Sequence, residues 1–302
     1  MKLVFSYFIF PGFLFTLLLG GWGWWLERKL TARFQYRIGP PWYQNFIDIM
    51  KLFYKEQIIP VEANKTLFVL SPIISFSSVV LLSLMINQSY FYGRGFVGDI
   101  VVILYLIIIP SLFIILGGIA SSNPLATTGS AREIKLMLSY EFIFIVSLII
   151  VIIKSKGVIS LEGIMDYQQK FGSHLWSISG AIGFVLSIFY IQAKLGIVPF
   201  DVSEAEQEIM GGPFIEYSGP LLGFYKLTKA FLYFILPVLL ILLFTGESLG
   251  WHLIYKYLIM IVIISVIKNT NPRLRIKDIL KLFWFLFFPL GCVGVVLAII
   301  GY

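Results

Sequence analysis

The chain has 302 residues, of which 59% are hydrophobic and only 13% are charged, and its formal net charge is +7 at pH 7. A soluble core cannot absorb that share of apolar surface, so the composition excludes an ordinary globular domain and indicates an integral membrane protein. One cysteine, Cys292, and two histidines, His174 and His252, are too few for an iron–sulfur cluster or a typical haem site. We therefore expect this chain to bind no cofactor and no metal of its own.

Eight apolar stretches, each long enough to cross a bilayer as a helix, follow one another along the chain. Lipid leaves unpaired backbone groups unsatisfied, and these stretches lack the alternation of a membrane barrel. We predict an all-α, polytopic membrane protein in which residues 1–302 form a single membrane domain. The predicted spans are residues 3–26, 67–86, 99–120, 137–153, 176–197, 219–244, 251–267 and 282–301.

The longest polar connection, residues 27–65, contains one further predicted helix. Its apolar side chains Ile47, Met50 and Phe53 are interleaved with charged ones at helical spacing. We predict an amphipathic helix here, between the first two spans, which lies in the cytoplasmic interface or against a partner.

Lysine and arginine are unevenly distributed between the two sides of the predicted bundle. The first, third, fifth and seventh loops carry fourteen of them, whereas the termini and the remaining loops carry five. Because cytoplasmic loops are enriched in positive charge, we predict a multi-pass protein of the cell membrane with its odd loops in the cytoplasm and both termini outside. This topology accounts for most of the positive net charge, which requires no nucleic acid.

Residues 198–218, between the fifth and sixth spans, reverse this charge pattern. This acidic segment has neither lysine nor arginine, and its five acids are Asp201, Glu204, Glu206, Glu208 and Glu216. If residues 201–209 are helical, Asp201, Glu204 and Glu208 share one face of the helix. Repulsion between their negative charges and partial desolvation then raise the pKa values of the carboxyl groups and favour a shared proton. A proton relay and a solvated acidic loop are both compatible with the pattern.

A sixth acid, Glu141, is predicted one turn inside the cytoplasmic end of the fourth span. Carboxylates within a membrane are costly and are usually functional. The alternative is a helix-end acid that pairs with Arg132 or Lys135. Lys194 and Lys226 also fall near cytoplasmic helix ends, where snorkelling of the long side chain towards water explains them.

Short motifs spread over most of the chain form a specific set. In order they are Glu27-Arg28-Lys29, Gln35-Tyr36-Arg37-Ile38-Gly39-Pro40, Asp48-Ile49-Met50-Lys51-Leu52-Phe53, Ser139-Tyr140-Glu141, Pro199-Phe200-Asp201, Glu204-Ala205-Glu206 and Glu216-Tyr217-Ser218-Gly219. Their sequence and order resemble the H subunit of respiratory complex I, a family whose core also has eight helices.

The resemblance implies a junction between a redox module and an ion pump. The cytoplasmic loops would carry an iron–sulfur subunit and a hydrogenase-like large subunit, and antiporter-like subunits would lie beside the chain in the bilayer. Iron–sulfur clusters, and a nickel–iron centre where the large subunit is a hydrogenase, would belong to those partners. Carried over residue by residue, the ion or proton relay comprises Glu141, Asp201, Glu204, Glu206, Glu208 and Glu216, and the redox-module interface comprises Arg28, Lys29, Arg33, Arg37, Arg132 and Glu133.

Details of these motifs favour one branch of the family. Only three residues separate Pro40 from Gln44, where quinone-reducing relatives usually have a longer insertion. Two further motifs resemble the membrane-bound hydrogenase and formate hydrogenlyase branch, namely Ser130-Ala131-Arg132-Glu133 and Glu204-Ala205-Glu206-Gln207-Glu208.

Lys194 and Ile197 depart from the family pattern, since relatives often carry an acid near 194 and a base near 197. We therefore predict a non-catalytic membrane subunit of a ferredoxin-linked, ion-translocating oxidoreductase, hydrogenase-like or sulfur-reducing, with an altered relay. The alternatives are a quinone-binding subunit of a complex I-type oxidoreductase, a stand-alone ion carrier, and a passive anchor. The sequence leaves open the terminal electron acceptor and the choice between H⁺ and Na⁺.

Overall fold

The computed structural model describes residues 2–246 and 251–302, and every regular element in those ranges is a helix, which confirms the predicted all-α class. The α-helices are α1 (Lys2–Phe8), α2 (Phe13–Phe34), α3 (Gln44–Tyr54), α4 (Lys65–Tyr92), α5 (Asp99–Ala120), α6 (Pro124–Lys154), α7 (Leu161–Phe171), α8 (Ile178–Lys194), α9 (Glu206–Ile209), α10 (Gly219–Thr245), α11 (Trp251–Thr270), α12 (Ile276–Lys281) and α13 (Phe288–Ile300). Short 3₁₀ turns cover His174–Trp176 and Gly212–Phe214, and a π-helical segment covers Leu282–Phe287.

Seven helical stretches within the described ranges are long and apolar enough to cross a membrane. An eighth, α8, is apolar but has only 17 residues. A helix of about 17 residues lies at the lower limit of those that span a hydrocarbon core. Apolar helices therefore occur at all eight predicted positions, as a polytopic membrane protein requires. The sides on which loops and termini lie, and the single-domain organisation, stay predictions.

The first span is interrupted by a short break, although the sequence predicts a continuous one. Residues 9–12 separate α1 from α2, and Pro11 within this break has no backbone N–H to donate. The side chain of Asn87 on α4 donates to the carbonyl oxygen of Pro11 at 2.7 Å and to the hydroxyl of Thr16 at 2.9 Å. The break is thus tied to its neighbour by internal hydrogen bonds, as irregular backbone at membrane depth requires.

Helix α10 is the centre of the bundle. Every residue from Ala230 to Phe244 is buried. A helix that is hydrophobic on all faces is stable only when other helices surround it, and α10 contacts α2, α4, α8 and α11. The core is therefore built around the sixth predicted span.

Helix α6 begins well before its predicted span, residues 137–153. The side chain of Asn123 accepts a hydrogen bond from the N–H of Leu125 at 2.8 Å, and Pro124 occupies the first helical position. Both features favour a helix start at this point. Arg132 and Lys135 therefore lie on the helix rather than in a loop.

Helix α3 is the predicted amphipathic helix, and its apolar face packs on the bundle. The ring of Phe46 lies over Gly21 of α2, where an added Cβ atom would approach it to 2.6 Å. Phe53 makes an edge contact with Phe224 of α10, with ring centroids 5.5 Å apart. Asn45 donates to the carbonyl oxygen of Gly21 at 3.1 Å. These contacts fix α3 beside the ends of α2 and α10.

Candidate functional site

Glu141 lies near the middle of α6 and forms a buried ion pair with Lys194, the last residue of α8. The Nζ atom of Lys194 is 2.6 Å from Oε1 of Glu141, and the two side chains are 0% and 9% exposed, respectively. The alternative in which Glu141 pairs with Arg132 or Lys135 is therefore excluded, and the prediction that Lys194 snorkels to water was wrong. The early start of α6 is the reason, because it moves Glu141 away from the helix end.

Two buried tyrosines complete the surroundings of this pair. The hydroxyl of Tyr190 donates to Oε2 of Glu141 at 3.5 Å. The ring centroid of Tyr140 lies 5.4 Å from Nζ of Lys194, within the range of a cation–π contact. Little water is near enough to screen the charges, so protonation of Glu141 would change the local field strongly.

A second polar chain runs beside the ion pair and links three parts of the fold. Glu133 of α6 is a hydrogen-bond partner of Ser203 in the acidic segment. The hydroxyl of Tyr140 donates to Oε1 of Glu133 at 3.1 Å and lies 3.0 Å from the hydroxyl of Ser111 on α5. Hydroxyl and carboxyl groups in such a chain can pass a proton by exchanging donor and acceptor roles. The chain leads from the acidic segment into the interior of the bundle.

Four acids of the acidic segment are each held by a different helix or loop. Asp201 pairs with Arg273 at 2.9 Å, Glu204 with Lys229 at 3.2 Å and Glu208 with Arg132 at 2.6 Å. The amide of Asn123 donates to Oε1 of Glu216 at 2.5 Å. The fifth acid, Glu206, is exposed. Three of the five charges are therefore compensated one by one by bases from α6, α10 and the loop after α11.

The helical face predicted for Asp201, Glu204 and Glu208 does not form. Only Glu206–Ile209 is helical, and residues 201–205 follow turns and bends. Separate partners hold these acids, so mutual repulsion is not the main feature of the segment. The segment is nevertheless not a simple solvated loop, because Asp201 and Ser203 are 9% and 3% exposed.

Burial changes the chemistry of Asp201. Desolvation raises the pKa of its carboxyl group above the ordinary value, although the guanidinium of Arg273 acts in the opposite direction. The cause is the one expected from the sequence, partial desolvation near the membrane. Asp201 is the acid of this segment in which burial and a specific charge partner act together.

The residues predicted for the redox-module interface fall into three groups. Arg28 donates to Asn45 of α3, and Lys29 donates to the carbonyl oxygen of Ile38 at 2.9 Å. Arg132 and Glu133 turn towards the acidic segment, as described above. Arg33 and Arg37 are exposed. The first group thus stabilises the fold, and the exposed arginines are the ones available to another subunit.

Sequence patterns gave no indication of several partners of the acids, among them Lys229 and Arg273. A further pair of this kind joins Lys268 to Glu27, with Nζ of Lys268 2.8 Å from Oε1 of Glu27. Glu27 is 1% exposed. Each base is distant in sequence from its acid, so helical periodicity carries no signal for these pairs.

Taken together, these observations define a polytopic membrane protein whose helical bundle encloses acid–base pairs. Residues 7–299 match the family described as NADH dehydrogenase. The chain belongs to this family, and its resemblance to the H subunit of complex I is confirmed. It is accordingly a membrane subunit of an oxidoreductase complex.

Relatives and a solved structure support this membership over nearly the whole chain. The H subunit of the NADH-quinone oxidoreductase of Thermomicrobium roseum is 32% identical, over 97% of this chain and 95% of that protein. Its counterpart in Geobacillus thermodenitrificans is 30% identical, over 90% of this chain and 86% of that protein. A chain from the structure of the membrane-bound sulfane sulfur reductase, an archaeal respiratory membrane complex, superposes with a TM-score of 0.85 at 25% identity, covering 94% of this chain and 96% of that one.

Proposed function

We propose that this chain joins a peripheral, ferredoxin-linked redox module to ion-translocating subunits and couples electron transfer to H⁺ or Na⁺ movement. It carries no redox centre itself, and the iron–sulfur clusters belong to its partners. The proposal rests on one observation, that two polar groups of residues lie side by side and both include residues of α6. One is the Glu141–Lys194 ion pair. The other is the hydrogen-bonded chain from Ser203 through Glu133 and Tyr140 to Ser111.

The first step is docking of the module on the side that holds α3 and the acidic segment. Large apolar side chains outside the spans are highly exposed there, with Tyr36 at 100%, Ile38 at 83%, Tyr54 at 85% and Val61 at 95%. Exposed apolar groups of this size are typical of a surface that another protein covers. Arg33 and Arg37 add positive charge, which suits an acidic partner surface. The proposed partners are the iron–sulfur subunit and the hydrogenase-like large subunit.

The second step is a change in the acidic segment. Its charges are balanced by bases on separate elements, so a small displacement of the segment changes several pairs together. Ser203 belongs to this segment and bonds to Glu133, so the displacement also alters the protonation of Glu133. Tyr140 then relays the change towards Ser111, next to the Glu141–Lys194 pair. Antiporter-like subunits beside the bundle would receive it.

Quinone reduction is the second candidate function. It is favoured by the relatives at 30–32% identity, which are subunits of NADH-quinone oxidoreductases. The likeness to the sulfane sulfur reductase chain favours a sulfur compound or protons as acceptor. Electron transfer from the purified complex to a soluble quinone distinguishes these acceptors without affecting the coupling proposal.

The coupling proposal is tested with Tyr140→Phe, which removes one hydroxyl and keeps the ring against Lys194. In the complete complex, reconstituted in vesicles, we expect ion translocation to fall several-fold while electron flux stays near normal. Tyr225→Phe, another buried tyrosine that donates to a backbone oxygen at 3.1 Å, is the matched control. If Tyr140→Phe and Glu141→Gln both pump ions normally, the chain has no relay and acts only as an anchor.

A further inference from the structure

We propose that the groove between α2, α4, α10 and α11 binds one hydrocarbon chain of a membrane lipid. The groove has a volume of about 460 Å³, within the range of about 300–1,000 Å³ of sites that hold small ligands. Its walls include Phe15, Phe91, Phe234, Val238, Leu253 and Tyr257.

The chemistry of the lining selects an apolar chain and not a polar head group. None of the side chains that line the groove is charged. The hydroxyl of Tyr257 is already used, because it donates to the carbonyl oxygen of Tyr233 at 3.3 Å. A hydrocarbon chain forms no hydrogen bonds. When it moves from the bilayer into the groove, it exchanges contacts with other lipid chains for contacts with the apolar side chains of the groove.

Aromatic side chains make the groove a preformed recess. The ring of Phe15 lies 5.8 Å from that of Phe91 and 5.8 Å from that of Phe234, both in edge-to-face contact. Phe234 makes a similar contact with Tyr257, with centroids 5.6 Å apart. Rings that hold each other in this way lose little freedom when a ligand binds.

The occupant must come from the bilayer, because the groove opens there. Val238 and Tyr257 on its floor are 2% and 5% exposed, whereas Trp22 and Ile254 at its mouth are 36% and 50% exposed. The mouth belongs to membrane-spanning stretches. A helix has a diameter of about 10–12 Å with its side chains, so a helix of another subunit would need far more than the 460 Å³ of this recess. One acyl or isoprenoid chain fits it.

The groove also reaches the break in the first span, because Phe10, within residues 9–12, forms part of its lining. A lipid chain in the groove would fill the space between α2 and α11 beside Phe10. The groove lies in the half of the bundle away from Glu27 and α3, so the inference is independent of the proposed relay.

The test uses the complete complex in phospholipid vesicles that contain a trace of phosphatidylcholine with a photoactivatable diazirine in one acyl chain. After illumination, labelled peptides are mapped by mass spectrometry. We expect labels to concentrate on peptides that contain Phe15, Leu19 and Leu253. Leu19→Trp, which fills the groove, should reduce this labelling several-fold, whereas Leu18→Trp on the neighbouring exposed position should not change it.

Three results would overturn the inference. Labelling of the wild-type complex spread evenly over exposed positions such as Val293 and Val296 would mean that ordinary bilayer lipid covers the groove. Absence of label from the groove would mean that another subunit fills it. Displacement of the label by a short-chain quinone at equal concentration would identify a quinone as the occupant. If the Leu19→Trp complex fails to assemble, the label distribution on the wild-type complex still distinguishes the proposed lipid site from these three results.

Discussion

The ammonium group of Lys194 and the carboxylate of Glu141 neutralise each other inside the bundle, 2.6 Å apart and out of reach of bulk water. The site therefore holds one acid and one base side by side, supplied by α6 and α8. Uptake of a proton by Glu141 would therefore leave the Lys194 charge unbalanced. If the proposed relay passes through Glu141, disruption of this ion pair is one of its steps.

Loss of either member of this pair is expected to be far more harmful than loss of both. Lys194→Met should lower the free energy of unfolding by about 3–5 kcal/mol, because it leaves Glu141 buried and uncompensated. The double variant Glu141→Gln with Lys194→Met should recover most of that loss, since no buried charge remains. Thermal unfolding of the purified complex measures both effects. Lys135→Met, at an exposed position on the same helix as Glu141, is the control. If the losses of the two single variants add up in the double variant, the prediction is contradicted.

The Asp201–Arg273 pair should give a pH-dependent stability. Burial raises the pKa of Asp201, so the folded state holds the proton more tightly, and stability decreases as the pH rises through the interval between the ordinary and the raised value. Arg273→Gln raises that pKa further. We expect a loss of about 1 kcal/mol near neutral pH and a smaller one in acid, since the half-exposed guanidinium is partly screened by solvent.

Unfolding measured at pH 4 and pH 7 checks this prediction. In an Asp201→Asn background, Arg273→Gln should cost the same at both pH values, because no titrating group remains at this pair and the contribution of other groups cancels between the variants. An equal loss at both pH values would mean that Arg273 acts through packing and not through its charge.

His174 should make the fold sensitive to acid. Its side chain is 3% exposed, and Nε2 lies 2.9 Å from the hydroxyl of Ser155. Burial lowers the pKa of His174 from 6.5 to about 4, with a smaller contribution from the charge of Lys154. The unfolded chain therefore takes up the proton first, and stability falls as the pH drops from 6.5 towards 4.

The expected loss in that interval is up to about 3 kcal/mol, at about 1.4 kcal/mol per pKa unit. His174→Gln should remove the acid sensitivity, and His252→Gln should leave it in place. Melting temperatures at pH 7.5 and pH 5 measure the effect. The same pH dependence in wild type and His174→Gln would place the acid-sensitive group elsewhere.

The site was predictable in its residue types but not in its geometry. The acids of the segment and Glu141 could be named, because intramembrane or clustered carboxylates are rare in so apolar a chain. Their partners could not, since Lys194 is remote from Glu141 along the chain, and Arg273 is remote from Asp201. Helical spacing describes neighbours within one element only. The predicted face of Asp201, Glu204 and Glu208 was wrong because separate bases, not a continuous helix, position these acids.

The sequence by itself determined that the chain crosses a membrane and where it does so. The reason is that the free energy of moving a stretch from water into the bilayer depends on the composition of that stretch alone. It also determined the family, since each motif consists of residues that follow one another in the sequence and can be recognised without the fold. Only the tertiary structure decided which charges meet, where Glu141 lies in α6, and that α10 forms the centre of the bundle. These features depend on how helices pack, and packing joins residues from distant parts of the chain.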